Sequence, residues 1–526
     1  MDFGVGTKHN AFRSVGVDDG NFNYGEQIRV ETSQKTSRTF WIPPLGGVSN
    51  QSGPFNFSVE PMVDQYWAAN RAAIEATVSI LKPNGAEIDS VEDVVAPCNL
   101  IGPSLFENID ISINGHHFPG SSGMNSQYKA MIETLLSYDQ DARLTHLMCQ
   151  GFHLDTPGEF GNMDLDELTM MKMIYAQIKS GQMEAPTFPQ AMRREGEAGY
   201  IEPDYWDDWD EDQRLHYTKL IEKKRIEYLE THCKEHLRQD VNANRLSSKT
   251  KVNSGFVARY RLMAGSKRLN LIFPICHDFF NMTNHIGPLN KVDIKLTRSK
   301  DPFLLNSYLK EKGYKMHIHD LKLHLHTIQR KERINIPEIE RFRFNQTELR
   351  KHVMLKGVTN HTEKLYFQGV LPKTIIVAMV YTRAAEGEYN YNPYNFHHFD
   401  IRQMNLLING EANPSTGLTF DFSKPNAQIA RSYRWVFENT GALSGGRGNL
   451  VSYPGFELGN FMIPFDLTPD KCNGLHNHEG KTGTIDLQLT FDKPLPESVT
   501  LISELVFNKM LINDKLNNRV ELKDIQ

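Results

Sequence analysis

The chain carries the same three strand-like segments twice, in the same order. Phe106 to Gly115 reads FENIDISING and Phe399 to Gly410 reads FDIRQMNLLING, each alternating apolar and polar residues and running into Asn-Gly. VDIKLTRSKDPF from Val292 is matched by IDLQLTFDKPLP from Ile485, and MHIHDLKLHLHTI from Met316 by VTLISELVFNKMLI from Val499. Alternation with period two is the pattern of a strand with one buried face. Collinear repetition of three such strands implies two copies of one β-domain in a single polypeptide. At 526 residues the chain exceeds what one ordinary core holds, and the repetition says how the excess is divided.

The expected division has three parts. Residues 1–45 are rich in Gly, Asn and Ser and lack periodicity, so they read as an arm that orders by lying on a neighbour. Residues 46–330 form the first domain and 331–526 the second. Ala72 to Leu81 reads as a strand closed by the turn Pro83-Asn84-Gly85. Leu105 to Ile113 and Lys373 to Tyr381 are further strands, and strand signals resume at Phe256 and run to Ile328. Asn114-Gly115 and Asn409-Gly410 are expected to be equivalent turns, because Asn-Gly supplies the positive φ of a tight hairpin. Short strands separated by Pro and Gly fit a sandwich and argue against a helical bundle. The expected fold class is therefore mainly β.

The segment 150–250 differs in kind. From Gly115 to Asp293 is a step of 178 positions, but from the corresponding Gly410 to Asp486 only 76; the difference of 102 matches the length of this block. It reads as a helical insertion in the first domain, and long surface insertions cost little closure entropy. Asp164 to Ser180 has helical spacing, YWDDWDED follows from Tyr205, and Gln213 to Gln239 is a charged helix. Its stripe of Ile226, Leu229, Cys233 and Leu237 is a candidate oligomer contact, with packing on its own domain as the alternative. A short helix is also expected over Tyr128 to Tyr138.

Composition narrows the function. The formal net charge is -6, which argues against a protein whose main task is coating nucleic acid. Five scattered cysteines (Cys98, Cys149, Cys233, Cys276, Cys472) form no CxxC pair and suit a reducing compartment. No apolar leader is visible at the N-terminus, and the longest clean apolar run, Ile375 to Tyr381, has the length of a strand, so no membrane span is expected.

Catalytic patterns are weak. His317 and His319 form one HxH and His324 and His326 another, a spacing that places two imidazoles on one strand face and suits a metal. The glutamate that a cupin site needs nearby does not follow until Glu332, so these histidines read as the polar face of a half-exposed strand. His116-His117 and His397-His398 point to opposite faces. No GxSxG, GxxxxGK[ST] or GxGxxG is present. No catalytic residue, metal or cofactor is assigned. One further string, EKLYFQG from Glu363, resembles a potyviral protease recognition sequence and falls within an expected strand.

The segments SLFENIDISING from Ser104, AMIETLLSY from Ala130, NKVDIKLTRSKDPF from Asn290, LPKTIIVAMV from Leu371, NPYNFHHFDI from Asn392 and IPFDLTPD carry a resemblance. Collinear over about 60–515, they resemble the double jelly-roll major capsid proteins of Polinton/Maverick elements and adintovirus-type viruses. The insertion departs from that pattern. The resemblance implies two tandem eight-stranded jelly-roll β-sandwiches and no enzymatic activity. It further implies homotrimeric, pseudo-hexameric capsomers (hexons) that tile an icosahedral shell around double-stranded DNA without sequence-specific binding. Penton and minor capsid proteins would be partners. The location would be the virion, after synthesis in the host cytoplasm and assembly there or in the nucleus. The alternative reading is a tandem jelly-roll glycan-processing enzyme or carbohydrate-binding module.

Overall fold

Alternation of apolar and polar residues shapes the architecture. Along Ile485–Phe491, for instance, Ile485, Leu487, Leu489 and Phe491 are all buried while the residues between them are half-exposed. The structure, a computed structural model, describes residues 34–526 apart from 119–124, most of 167–251, and 283, 289, 332–337, 423–428, 444–447, 470, 472–479, 518 and 525–526. Among the described residues, sixteen principal strands build four sheets.

The first set comprises β1 (Gln34–Ile42), β2 (Phe55–Val59), β3 (Ala73–Leu81), β4 (Phe106–Ile113), β5 (His116–His117), β6 (Leu269–Pro274), β7 (Val292–Arg298) and β8 (Lys315–Arg330). The second comprises β9 (Ile339–Met354), β10 (Asn360–Tyr366), β11 (Thr374–Tyr381), β12 (Ile401–Ile408), β13 (Glu411–Thr419), β14 (Met462–Asp466), β15 (Ile485–Phe491) and β16 (Val499–Asp514). The sheets run β1-β8-β3-β6 and β2-β7-β4-β5 in the first set, and β9-β16-β11-β14 and β10-β15-β12-β13 in the second. Adding eight to each label of the first pair gives the second. All these pairings are antiparallel, and short strands at Gln65–Trp67 and Arg519–Asp524 pair with the far ends of β8 and β16.

Two expectations are corrected. The arm does not reach residue 45: Gln34–Ile42 is a strand paired along β8 from Gln34↔Arg330 to Ile42↔Leu323. Its residues are exposed almost throughout, so their alternation carries no burial signal. Strand structure does not resume at Phe256 either. Ser254–Met263 is a helix, capped by Asn253, whose side chain accepts from the Gly255 and Phe256 amides. Phe256, Val257 and Tyr260 pack with Met163 and Leu165 in a small core of their own. The helix expected over 128–138 is Ser126–Ser137, here α1, with ten buried residues; Ser254–Met263 is α2, and Ala430–Asn439 is α3.

The segment 150–250, expected as an insertion, lies between β5 and β6 in chain order. Its described residues between 169 and 231 are mostly helical. Ile221 and Arg225 are buried, with Arg225 donating to the Met192 carbonyl at 2.8 Å, whereas Ile226 is 47% exposed. Leu229, Cys233 and Leu237 lie outside the described residues. The long connections of the two sets meet: Leu450 N donates to Leu135 O at 2.9 Å, Gly158 N to Leu458 O at 2.8 Å, and Asn392 Nδ2 to Phe160 O at 3.0 Å. One apolar cluster runs through both sets, from Phe57 and Ile111 to Leu489 and Leu501.

Candidate functional site: a buried junction and an open sheet face

The Asn-Gly turns are equivalent in detail. Asn114 and Gly115 have φ of 51° and 83°, Asn409 and Gly410 of 52° and 86°. Each asparagine reaches back to the strand start beside it: Asn114 Oδ1 accepts from Lys291 N and Asn409 Oδ1 from Thr484 N, both at 2.9 Å. A left-handed pair followed by a side-chain clasp fixes the hairpin register. Asn114 goes further, donating to Asn290 Oδ1 at 3.0 Å. Asn290 donates in turn to Glu340 of β9, which also accepts from Asn513 at 2.9 Å and Lys515 at 2.9 Å. One turn is thus tied into the junction between the sheet sets.

That junction is built on buried charge. Lys129 of α1 is fully buried and ion-paired with Asp278, itself 2% exposed. Asp278 also accepts from Thr347 of β9, through the backbone N–H at 2.7 Å and the hydroxyl at 3.0 Å. Burial opposes the charge on Lys129, but the carboxylates of Glu133 and Asp278 outweigh it and hold the ammonium above its ordinary range. Glu504 of β16 faces the same group. Burial, then the Glu133 carboxylate, push its carboxyl well above the usual range, and its Oε2 has no hydrogen-bond partner among the described residues. Nearby, Lys351 Nζ donates to Asn125 Oδ1 at 2.7 Å and lies 4.7 Å from the Tyr128 ring; burial pushes it down to about 8. Tyr394 OH and Ser104 Oγ, 2.6 Å apart, add another cross-link.

The junction makes two equivalent sheets unlike. On the outer face of β9-β16-β11-β14, Thr500, Ile502, Glu504, Ala378, Val380 and Met462 are all at most 2% exposed. On the outer face of β1-β8-β3-β6, Trp41 is 56% and Ile272 39% exposed, and Asn270 and Pro274 are exposed. His317, His319, His324 and His326 stand on this open face, half-buried. His319 Nε2 lies 2.8 Å from Ser79 Oγ, His324 Nε2 3.0 Å from Glu75 Oε2, and His326 Nε2 3.3 Å from Arg71. Among the described residues no group of three or more His, Cys, Asp or Glu converges as a metal site would require. His397 and His398 are each pushed down to about 4 by burial, His398 stacked on Phe422 with ring centroids 3.8 Å apart.

Sequence reasoning missed Trp41, which lay within the segment read as an arm; the signal was the run Thr39, Phe40, Trp41, Ile42 before Pro43-Pro44. It also missed Lys129, Asp278 and Glu504, which nothing local distinguishes from surface charges.

No protein-family model and no curated protein matches the chain. Solved structures do. A chain of the Sputnik virophage, solved by cryo-EM, is 12% identical at a TM-score of 0.54, over 97% of this chain and 93% of that one. The mavirus major capsid protein is 12% identical (TM-score 0.45, 95% of this chain and 92% of that one), and the Faustovirus major capsid protein 9% (TM-score 0.45, 92% of each). At these identities the likeness is one of fold.

Proposed function

We propose that the chain is a major capsid protein of the double jelly-roll type, structural and not catalytic. The fold likeness to the Sputnik virophage chain over 97% of the length supports this reading, as does the twofold use of one eight-strand order. In this reading residues 46–330, with β1 added, are the first jelly-roll, carrying the insertion, and 331–526 are the second.

The observation that carries the reading is the asymmetry of equivalent sheets. The second set's sheet β9-β16-β11-β14 is buried across the middle of its outer face, on β16, β11 and β14, because groups of the first set, Asp278 and Lys129 among them, lie against it; its β9 edge is exposed, at Arg341, Arg343, Asn345 and Val353. The first set's equivalent sheet is open. A contact made once inside the chain and left unmade at its end is heterologous, and closes only as a ring. Three chains with two similar sandwiches each give six similar corners, which fit a hexagonal lattice. Contacts within such a trimer are obligate, on the order of 2,000 Å² or more. Contacts between trimers can be weaker, because many act together. The Polinton/Maverick and adintovirus type remains the family reading, with penton and minor capsid proteins as partners and the virion as location. A net charge of -6 suits a shell that encloses double-stranded DNA without coating it.

Size-exclusion chromatography with light scattering tests this. A stable particle of three times 60.2 kDa is expected, with hexagonal outlines in electron micrographs. A monomer at all concentrations would sink the reading and favour the tandem jelly-roll enzyme or carbohydrate-binding module.

A further inference from the structure

The open face of β1-β8-β3-β6 carries groups that a sheet meant for water does not need. Trp41 stands edge-on to His324, ring centroids 5.3 Å apart, and Ile272 is exposed on β6. Trp41 and Ile272 stand on the two edge strands of this sheet, exposed apolar side chains on either side of a polar centre that includes His324, Lys322 and Glu75, and exposed aromatic anchors of this kind are enriched at interfaces. The occupant follows from the chain's own precedent: the equivalent face of the second set is covered by a first set. Each first set is already engaged on the second set of its own chain, so in a head-to-tail ring the partner left for the open first-set face is the second set of another copy.

Charge then says how such a contact responds to acid. His317 faces Arg298 and Arg268; His319 faces Arg268 and His317, whose ring lies 4.6 Å away. His326 faces Arg71 from the turn ahead of β3, with Thr39 Oγ1 of β1 at 3.2 Å and His285 close by. The carboxylates on the face are engaged elsewhere: Glu75 with His324 at 3.0 Å, and Asp320 with Lys322 at 2.5 Å. Three of the four histidines therefore meet cations.

We propose, resting on the capsomer reading, that this face docks a second copy of the chain and that acid opens the contact by protonating His317, His319 and His326. Burial, then the neighbouring arginines, already hold all three imidazoles below their ordinary value. Docking buries them further and lowers them again. A group whose value falls on binding gives a contact that is full above its free value and lost as pH drops through it. Each excluded proton weakens association by up to about tenfold per pH unit.

The test measures particle mass by light scattering at about pH 8 and about pH 5.5, with circular dichroism to confirm that the chain stays folded. The wild type is expected to be trimeric at the higher pH and to dissociate, by tenfold or more in association constant, at the lower. The triple variant His317→Gln, His319→Gln, His326→Gln is expected to stay trimeric at both. A double variant Trp41→Ala, Ile272→Asp is expected to be monomeric and folded at the higher pH. A triple variant that dissociates as the wild type does, or a wild type indifferent to acid, overturns the gate. A double variant that stays trimeric overturns the docking face while leaving the trimer intact. A wild type that is monomeric at the higher pH fails the capsomer reading itself, a distinct result.

Discussion

Thr347 of the second sheet set donates both its backbone N–H and its hydroxyl to Asp278 of the first, at 2.7 and 3.0 Å, while the same carboxylate holds the fully buried Lys129. One acid thus serves a helix of its own half and a strand of the other. Removing it leaves the buried ammonium to the longer ion pair with Glu133, at 3.6 Å. Asp278→Ala is expected to cost about 3–5 kcal/mol. Thr347→Val, which keeps the backbone donor, is expected to cost about 1 kcal/mol. Denaturant unfolding checks both; equal losses would mean that the buried ion pair matters no more than one hydroxyl hydrogen bond.

Glu504 responds to pH in a defined direction. Its folded value is raised, so its contribution to stability is full below the ordinary carboxyl range and is lost as pH rises towards the folded value. Glu504→Gln, which fixes the neutral shape, is expected to melt higher than wild type at neutral pH and to match it in acid. A variant that melts lower at neutral pH would show that the carboxylate is charged in the fold.

A Cβ at Gly115 or Gly410 meets nothing within 4 Å, so substitution there costs backbone strain alone. Gly115→Val and Gly410→Val are each expected to lose about 1–2 kcal/mol. Asn114→Ala is expected to cost more than Asn409→Ala, because Asn114 alone of the two is tied to Asn290 and through it to Glu340. Thermal melts of the four variants decide the order.

Tyr366 ends β10, with Leu365 fully buried and Tyr366 against Phe507 at 5.5 Å; Phe367, 73% exposed, lies beyond the strand. The sequence expectation of a strand thus holds for Glu363 to Tyr366 and not for the scissile end. A protease that reads an extended seven-residue stretch cannot lift Leu365 from the core. Resistance of the native protein to the potyviral enzyme is expected, with cleavage after Gln368 once denatured. Prompt native cleavage would mean β10 opens readily.

Two truncations separate arm from strand. Deleting residues 1–33 is expected to leave the folded chain intact and to weaken shells, since the sequence reads them as an arm that orders by lying on a neighbour. Deleting 1–40 also removes most of β1, whose residues from Gln34 pair with β8, and is expected to lower the melting temperature. Equal melting of both would remove β1 from the stable sheet.

The repeated FENIDISING and FDIRQMNLLING segments and the turns that end them were legible because alternation and Asn-Gly chemistry are local properties. A strand's inward face and a turn's positive φ are written within a few residues. Trp41 and Phe256 were misread for the complementary reason: an edge strand exposed on both faces has no alternation to read, and a short helix with apolar residues on several sides imitates a strand. Which faces meet was decided only in three dimensions. Glu504 sits at a polar slot of β16, where the local pattern predicts water, and finds instead Lys129 and Asp278, hundreds of residues away in the chain. The two sheets share one strand order, yet the middle of one outer face is buried and the other is open, because burial depends on what packs across the face and not on the strand that presents it.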